Sequence, residues 1–260
     1  MFNKEEIDNI LNIAKKAGDI ILEYYNDYKE LSTIKKEDNS PVTKADIDAN
    51  NFINTKLNKL FPQIPIVSEE NNEEENLKAA KNDQYFMIDP LDGTSAFIKK
   101  SDEFTVNIAL IKDKKAIFGV IYLPAKDIMY FTGFDDKSYI IENYSKNGKQ
   151  QQIKSNKNKD NLIVICTKRE PEKTQIIDDL KTRNIKIKKI ISVASSYKFC
   201  LIAEGKADLY PRKVNIKAWD VAAGHAIVNG AKSNMIDVKN KKEVEYKFDK
   251  NFNVPVFEVF

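Results

Sequence analysis

The sequence predicts an α+β half followed by an α/β half, and three observations carry that prediction. Residues 3–29 repeat apolar side chains at helical spacing. Residues 104–131 break into three β-like runs separated by short polar gaps, the pattern of an antiparallel meander. Residues 162–228 alternate strand-like and helix-like segments, which suits an α/β layer packed on the first half. Between them, Ser145 to Asp160 is rich in Lys, Asn and Gln and reads as a loop, which places a boundary between residues 1–150 and 151–260. A chain of 260 residues has room for a proper core.

Taken in order, Ile7, Ile10, Leu11, Ala14, Ala17, Ile21, Tyr24, Tyr25 and Tyr28 mark one face of the first helix. Leu31 to Lys36 reads as a short strand and Ser40-Pro41 as a turn. A second helix starts near Thr43, with Ile47, Asn50, Ile53, Leu57 and Leu60 on one face. Asp46 then lies in or near its first turn, where an acid suits the helix dipole. Ile64 to Ser68 is a short strand ending at Glu69-Glu70, and Asn71 to Glu75 reads as a solvated acidic loop. Glu69 belongs either to that solvated face or, from its place at a strand end, to a site. Tyr85 to Ile88 is a buried strand that Pro90 stops, because proline donates no ladder hydrogen bond. Phe104 to Ile111, Ala116 to Leu123 and Ile128 to Phe131 follow as strands, the first alternating as if half-buried. Leu162 to Cys166 is a buried strand, Pro171 to Thr182 a helix, and Ile185 to Ile191 a strand. A helix starts at Ser195 and ends at Gly205, Ala207 to Tyr210 is a strand, and Trp219-Asp220 opens a small-residue helix over Val221 to Val228.

Composition excludes several functions. The 42 basic and 39 acidic residues leave a net charge of +3, too balanced to argue for a nucleic-acid polymer or a membrane surface as partner. No apolar run approaches the length of a membrane span, and Met1 to Glu6 lacks the basic and apolar regions of a signal peptide. Cys166 and Cys200 sit in apolar runs, as buried thiols in a reducing cytosol do. The single histidine, His225, leaves too few ligands for a His/Cys zinc site, and no G-x-S-x-G elbow accompanies it. Carboxylates, hydroxyls, lysines and a metal they hold must do the chemistry.

Asp89-Pro90-Leu91-Asp92-Gly93-Thr94 is where such chemistry concentrates. A turn after the buried strand points Asp89, Asp92 and Thr94 into one small volume. Close carboxylates repel, so they take up a proton or share a hard divalent cation, of the kind that also holds phosphate oxygens. Phosphatases that form an aspartyl-phosphate place their acids two apart, as D-x-D-G-T, whereas these are three apart, which disfavours a covalent route. A merely structural acidic turn is the bland alternative.

Together with the upstream Ser68-Glu69-Glu70 and the downstream Trp219-Asp220-Val221-Ala222-Ala223-Gly224, the motif resembles the inositol monophosphatase superfamily of metal-dependent, lithium-sensitive phosphatases. Glu103 to Ile111, Ser195 to Gly205 and Asp208 to Arg212 narrow the likeness to the bacterial 3'(2'),5'-bisphosphate nucleotidases of sulfur assimilation. The resemblance runs from about Ile7 to the C-terminus and implies a layered α-β-α-β-α sandwich. It implies two or three Mg2+ ions. Glu69, Asp89 and the Leu91 carbonyl are implied for one; Asp89, Asp92 and Asp220 for a second. Thr94 and Asp46 match the pair that orients a water molecule and accepts its proton, and Glu69 belongs to the same catalytic set. The amides of Gly93 and Thr94 are implied to cradle the phosphate being cleaved. Ser195, Ser196 and Lys198 resemble contacts to a second phosphate and nucleotide, although serines at a helix start are also simple caps. Arg212 resembles an arginine that reaches the nucleotide, while Trp219 and His225 read as packed structure.

The implied activity is removal of the 3'-phosphate of adenosine 3',5'-bisphosphate, with the sulfated form as a further substrate. An inositol-1-phosphatase or broader sugar phosphatase is the alternative with the same chemistry, and a non-catalytic sensor of nucleotide bisphosphates the alternative of another class. Three departures from the nucleotidase pattern bear on substrate preference: Ser95-Ala96-Phe97 after the motif, Ala194 before the serines, and Lys217-Ala218 before Trp219. The implied setting is cytoplasmic or peripheral at the inner membrane face, as a monomer or homodimer.

Overall fold

Among the described residues, seven strands form the central sheet, and helices cover both of its faces. The structure, a computed structural model, describes residues 2–27, 41–158, 160–170, 172–248 and 250–260. The strand expected at Leu31 to Lys36, and Tyr28, Ser40 and Pro171, lie outside the described residues.

Helix α1 (Lys4–Asp27) buries the face its apolar spacing foretells, Ile7 through Tyr25. Helix α2 (Pro41–Leu60) starts two residues earlier than expected and buries Asn50, Ile53 and Leu57 of the expected face, but not Ile47 or Leu60. Ala45, Ala49, Ile53 and Leu57 are fully buried, while Ile47 and Leu60 are 41% and 43% exposed. Small alanines let α2 lie close against α1, so close approach outweighs side-chain size here. Asp46 is consequently the sixth residue of α2 rather than part of its first turn, and it is buried. An acid relieving the helix dipole belongs in the first turn on an exposed face, so that explanation does not apply.

Strand β1 (Ile66–Ser68) pairs in parallel with β2 (Gln84–Asp92). Between them Glu73–Ala79 is helix α3 rather than solvated loop. Asn72 caps it by accepting from the Glu75 amide at 2.8 Å, and three consecutive glutamates sit in its first turn, where the helix dipole favours them. After β2 comes α4 (Thr94–Ile98), and then an antiparallel meander of β3 (Thr105–Lys112), β4 (Lys115–Leu123), β5 (Ile128–Thr132), β6 (Ser138–Glu142) and β7 (Gln150–Gln152). β6 falls in a stretch to which the sequence reading assigns no element, and β7 falls inside the expected loop Ser145 to Asp160. β7 is a fully exposed edge strand of three glutamines, which hides it from any apolar pattern. β3 is buried along both faces, not alternately, because helices cover each side of the sheet.

The second half supplies the other layers. Strand β8 (Leu162–Cys166) precedes α5 (Glu172–Thr182) and pairs in parallel with β9 (Ile187–Ser192). Next come α6 (Tyr197–Ala203), β10 (Tyr210–Arg212), β11 (Ile216–Lys217) and α7 (Ala222–Gly230). Strands β12 (Met235–Asp237), β13 (Asn253–Val254) and β14 (Phe257–Val259) close the chain, with β14 between β10 and β12. α1 and α2 cover one face of the large sheet, α6 and α7 the other, the shorter strands lie beyond, and α5 packs outside them. That is the α-β-α-β-α layering. One close contact between layers is at Gly119 of β4, where a Cβ would lie 2.2 Å from the Ala223 carbonyl oxygen. Only glycine lets α7, itself built of small residues, lie that near the sheet. Cys166 and Cys200 are buried free thiols, and no helix of the described residues is long and apolar enough to cross a membrane.

Candidate active site

The chemistry-bearing residues gather where β2 breaks its pairing. Asp89 still pairs with Asn107 of β3, and the register then shifts before Asp92 pairs with Thr105. Pro90 therefore sits in a β-bulge instead of ending the strand. A proline inside a sheet needs such a place, and the bulge re-aims the acids on either side of it. The Asp89 carboxylate folds back to accept from the Leu91 amide at 3.1 Å. Gly93 then takes φ +91° and turns the chain into α4.

Three segments bring carboxylates to this point. Glu69 follows β1, whose parallel pairing with β2 sets it beside Asp89. Asp220 comes from the turn that starts α7. One oxygen from each of Glu69, Asp89 and Asp220 lies within 4.8 Å of the others. Asp89 is buried, and burial first, then the charges of Glu69, Asp92, Asp220 and Asp46, raise its pKa well above the usual carboxylate range. Burial also raises Asp220, with Asp92 and Glu69 adding to the effect and a hydrogen bond with Asp89 opposing it. An all-oxygen donor set that cannot ionise fully alone fits a hard divalent cation, which would relieve the repulsion.

Asp92 stands slightly apart from that trio. Its Oδ2 accepts from the Ser196 amide at 2.5 Å. The Ser196 hydroxyl accepts from Asn107 Nδ2 at 2.8 Å and lies 2.6 Å from both Asp92 Oδ2 and the Asp220 carbonyl oxygen. Ser196 is thus turned away from the cavity and binds two acid-bearing segments together. It differs from the phosphate contact its sequence position implied, and from a simple cap, since its side chain caps no amide of α6. Ser195 takes a left-handed φ of +50° and does line the cavity.

The cavity has a volume of about 370 Å³ and two walls of opposite character. Glu69, Asp89, Asp92 and Asp220 form the acidic wall, with Thr94 and the turn at Gly93 beside it. Lys198, Arg212, Lys168, Arg169 and Lys99 supply cations. Lys198 is buried, donates to the Ser195 carbonyl at 2.7 Å, and has its pKa pulled down to about 8, mainly by burial. Arg212 is held by a buried ion pair with Glu172 at 3.2 Å. Asp46 does not line the cavity. It lies on α2, which packs on α4, and its charge is one of those that raise Asp89. Trp219 is buried against Phe252, and His225 lies 3.1 Å from the Tyr246 hydroxyl and 3.3 Å from Glu243, apart from the acids.

Lys168, Arg169, Glu103 and Glu172 escape the sequence reading. A signal existed for the first two, since they follow the carboxyl end of the parallel strand β8, where α/β layers place ligand contacts. Glu103 opens one of the blocks that carry the family likeness but had no role assigned to it, and Glu172 carries no such signal.

Residues 3–254 match the family described as the inositol monophosphatase family. The "3'(2'),5'-bisphosphate nucleotidase CysQ" of Buchnera aphidicola subsp. Acyrthosiphon pisum (strain APS) is 42% identical over 231 residues, covering 88% of this chain and 83% of that one. The protein of the same name from Escherichia coli (strain K12) is 37% identical, covering 97% of this chain and 98% of that one. Among solved structures, CysQ from Bacteroides thetaiotaomicron, "a bacterial member of the inositol monophosphatase family", superimposes with a TM-score of 0.85 at 33% identity, covering 99% of this chain and 97% of the other.

Proposed function

The chain belongs to the inositol monophosphatase family, and from that premise we propose that it is a Mg2+-dependent 3'(2'),5'-bisphosphate nucleotidase. It removes the 3'-phosphate of adenosine 3',5'-bisphosphate to give AMP and phosphate, and the sulfated form is a second substrate. The observation that carries this reading is the two-walled cavity, whose acids can share cations while its own cations face them. A substrate with one phosphate to lose and another to keep fits that division. The names borne by the relatives support the same choice.

In this reading Glu69, Asp89 and the Leu91 carbonyl would hold one ion and Asp89, Asp92 and Asp220 a second, of two or three ions in all. Magnesium held there supplies the positive charge that lets two anions meet and acidifies a water molecule. Thr94 orients that water through its hydroxyl, and Asp46 accepts the proton passed along from Thr94. The amides at the start of α4 hold the phosphoryl oxygens in line with the attack. Ser195, Lys198 and Arg212 hold the retained phosphate and nucleotide, and Ser196 keeps Asp92 and the 195–198 segment in register. Residues 1–150 thus carry the metal ligands but one, and residues 151–260 carry Asp220 and the nucleotide contacts. We place the protein in the cytoplasm, where its buried free thiols stay reduced.

Phosphate release with Mg2+ tests the proposal, with adenosine 3',5'-bisphosphate and inositol 1-phosphate compared side by side. A clear preference for the nucleotide is expected. A preference for inositol 1-phosphate would overturn the substrate while leaving the acid cluster its role, and release from neither would bring the sensor alternative forward or point to a different phosphate ester.

A further inference from the structure

The cation-bearing wall has a support of its own in Glu103, which lies between α4 and β3. Its Oε2 accepts from the Ala194 amide at 2.8 Å and from the Lys168 ammonium at 2.7 Å. Both donors come from the other half of the chain, Lys168 from the segment after β8 and Ala194 from the segment after β9. Both line the cavity. The Glu103 side chain is only 17% exposed, whereas that of Lys168 is 46% exposed, so the acid is fixed in the wall and the lysine reaches toward solvent.

An ammonium has three donors, and Glu103 engages one, which leaves two for an anion. A lysine on a free four-carbon stem loses rotamer freedom on binding, and the pairing with Glu103 removes part of that freedom beforehand. The same carboxylate holds the segment leading into Ser195 across the turn at Gly93, where an added Cβ would come within 3.0 Å of the Ser195 Cβ. One acid therefore fixes both a cation and a strap at the cavity mouth.

We infer that Lys168 is a specificity-determining residue that contacts the phosphate the enzyme leaves in place, and that Glu103 is the positioning residue that aims it. The inference rests on the nucleotidase reading. A substrate with a single phosphate, held at the acidic wall, gives Lys168 nothing to meet. The pair selects bisphosphates over monophosphates and leaves the rate of cleavage to other groups.

Steady-state kinetics on adenosine 3',5'-bisphosphate and adenosine 3'-monophosphate test this in wild type, Lys168→Ala, Glu103→Gln and Glu103→Ala. In Lys168→Ala the ratio of kcat/KM for the bisphosphate to that for the monophosphate should fall about tenfold, the size of one charge-assisted hydrogen bond, and the change should lie in KM. Glu103→Gln keeps an acceptor for the Ala194 amide but loses the ion pair, so its ratio should fall by a smaller factor of about three. Glu103→Ala loses both contacts and should show the larger fall. Equal losses on both substrates would make the pair merely structural and overturn the inference, as would an unchanged ratio. A wild type that prefers the monophosphate would instead fail the nucleotidase reading, and the inference would fall with it.

Discussion

Lys198 is the residue whose environment most directly sets a pH limit on substrate binding. It is buried beside Tyr210 and Arg212, and its pKa is pulled down to about 8, with burial the largest cause and Arg212 acting in the same direction. The lysine is therefore cationic below about 8 and neutral above it. Only the cationic form attracts a retained phosphate, so kcat/KM for the bisphosphate, which reports the free enzyme, should decline above that pH. Lys198→Met should lower kcat/KM throughout and abolish the decline. A wild-type profile flat from about pH 7 to about pH 9.5 would contradict the assignment.

At the scale of elements, the contact of α7 with β4 ties the site to the sheet. Gly119 admits the Ala223 backbone, and Asp220 stands just before α7, so the helix carries an acid whose position depends on that contact. Gly119→Ala would put a Cβ 2.2 Å from a carbonyl oxygen that has no rotamer to escape into. Such overpacking costs about 1–3 kcal/mol. Thermal unfolding should show a matching fall in Tm, and turnover should fall further than stability because α7 shifts Asp220. Wild-type turnover in a destabilised Gly119→Ala would show that the site does not depend on this contact. The elements legible in the sequence are those with an apolar run, an apolar period or a clear stop signal: α1, α2, β1 to β5, β8, α5, β9, α6 and α7. Those that escaped depend on polar or tertiary causes. α3 is an acidic helix made stable by Asn72 and its dipole, β7 is a polar edge, and the face of α2 was set by alanines that fit rather than by its larger Ile47 and Leu60. Asp89 and Asp92 were legible because β2 compresses them into one short motif, whereas Glu69 and Asp220 come from distant segments and were read as ligands only through the family resemblance. Glu103 and Lys168 were not, because what joins them is the packing of one half on the other.

For the whole molecule, the acid cluster is a place where folding works against itself until a cation arrives. Folding buries Asp89 and brings Glu69, Asp92, Asp220 and Asp46 near it, and both Asp89 and Asp220 are raised well above the usual carboxylate range. In the unfolded chain these acids ionise near their ordinary value, about 4. Below that pH both states hold the protons, and the cluster costs nothing. As pH rises the unfolded chain releases its protons first, so stability is lost progressively until the folded acids ionise as well. A divalent cation bound there would replace those protons and remove the penalty, and it would stabilise the folded state by mass action besides. Thermal unfolding in excess Mg2+ and in EDTA should therefore differ little near about pH 5 and increasingly toward about pH 8. Asp89→Asn removes one charge from the centre of the cluster. In EDTA at the higher pH it should unfold at a higher temperature than wild type, gain little from Mg2+, and release no phosphate. A magnesium effect of equal size at both pH values would show that the acids are ionised in the metal-free fold. Turnover by Asp89→Asn would remove the shared-ligand role from the residue on which both halves of the site converge.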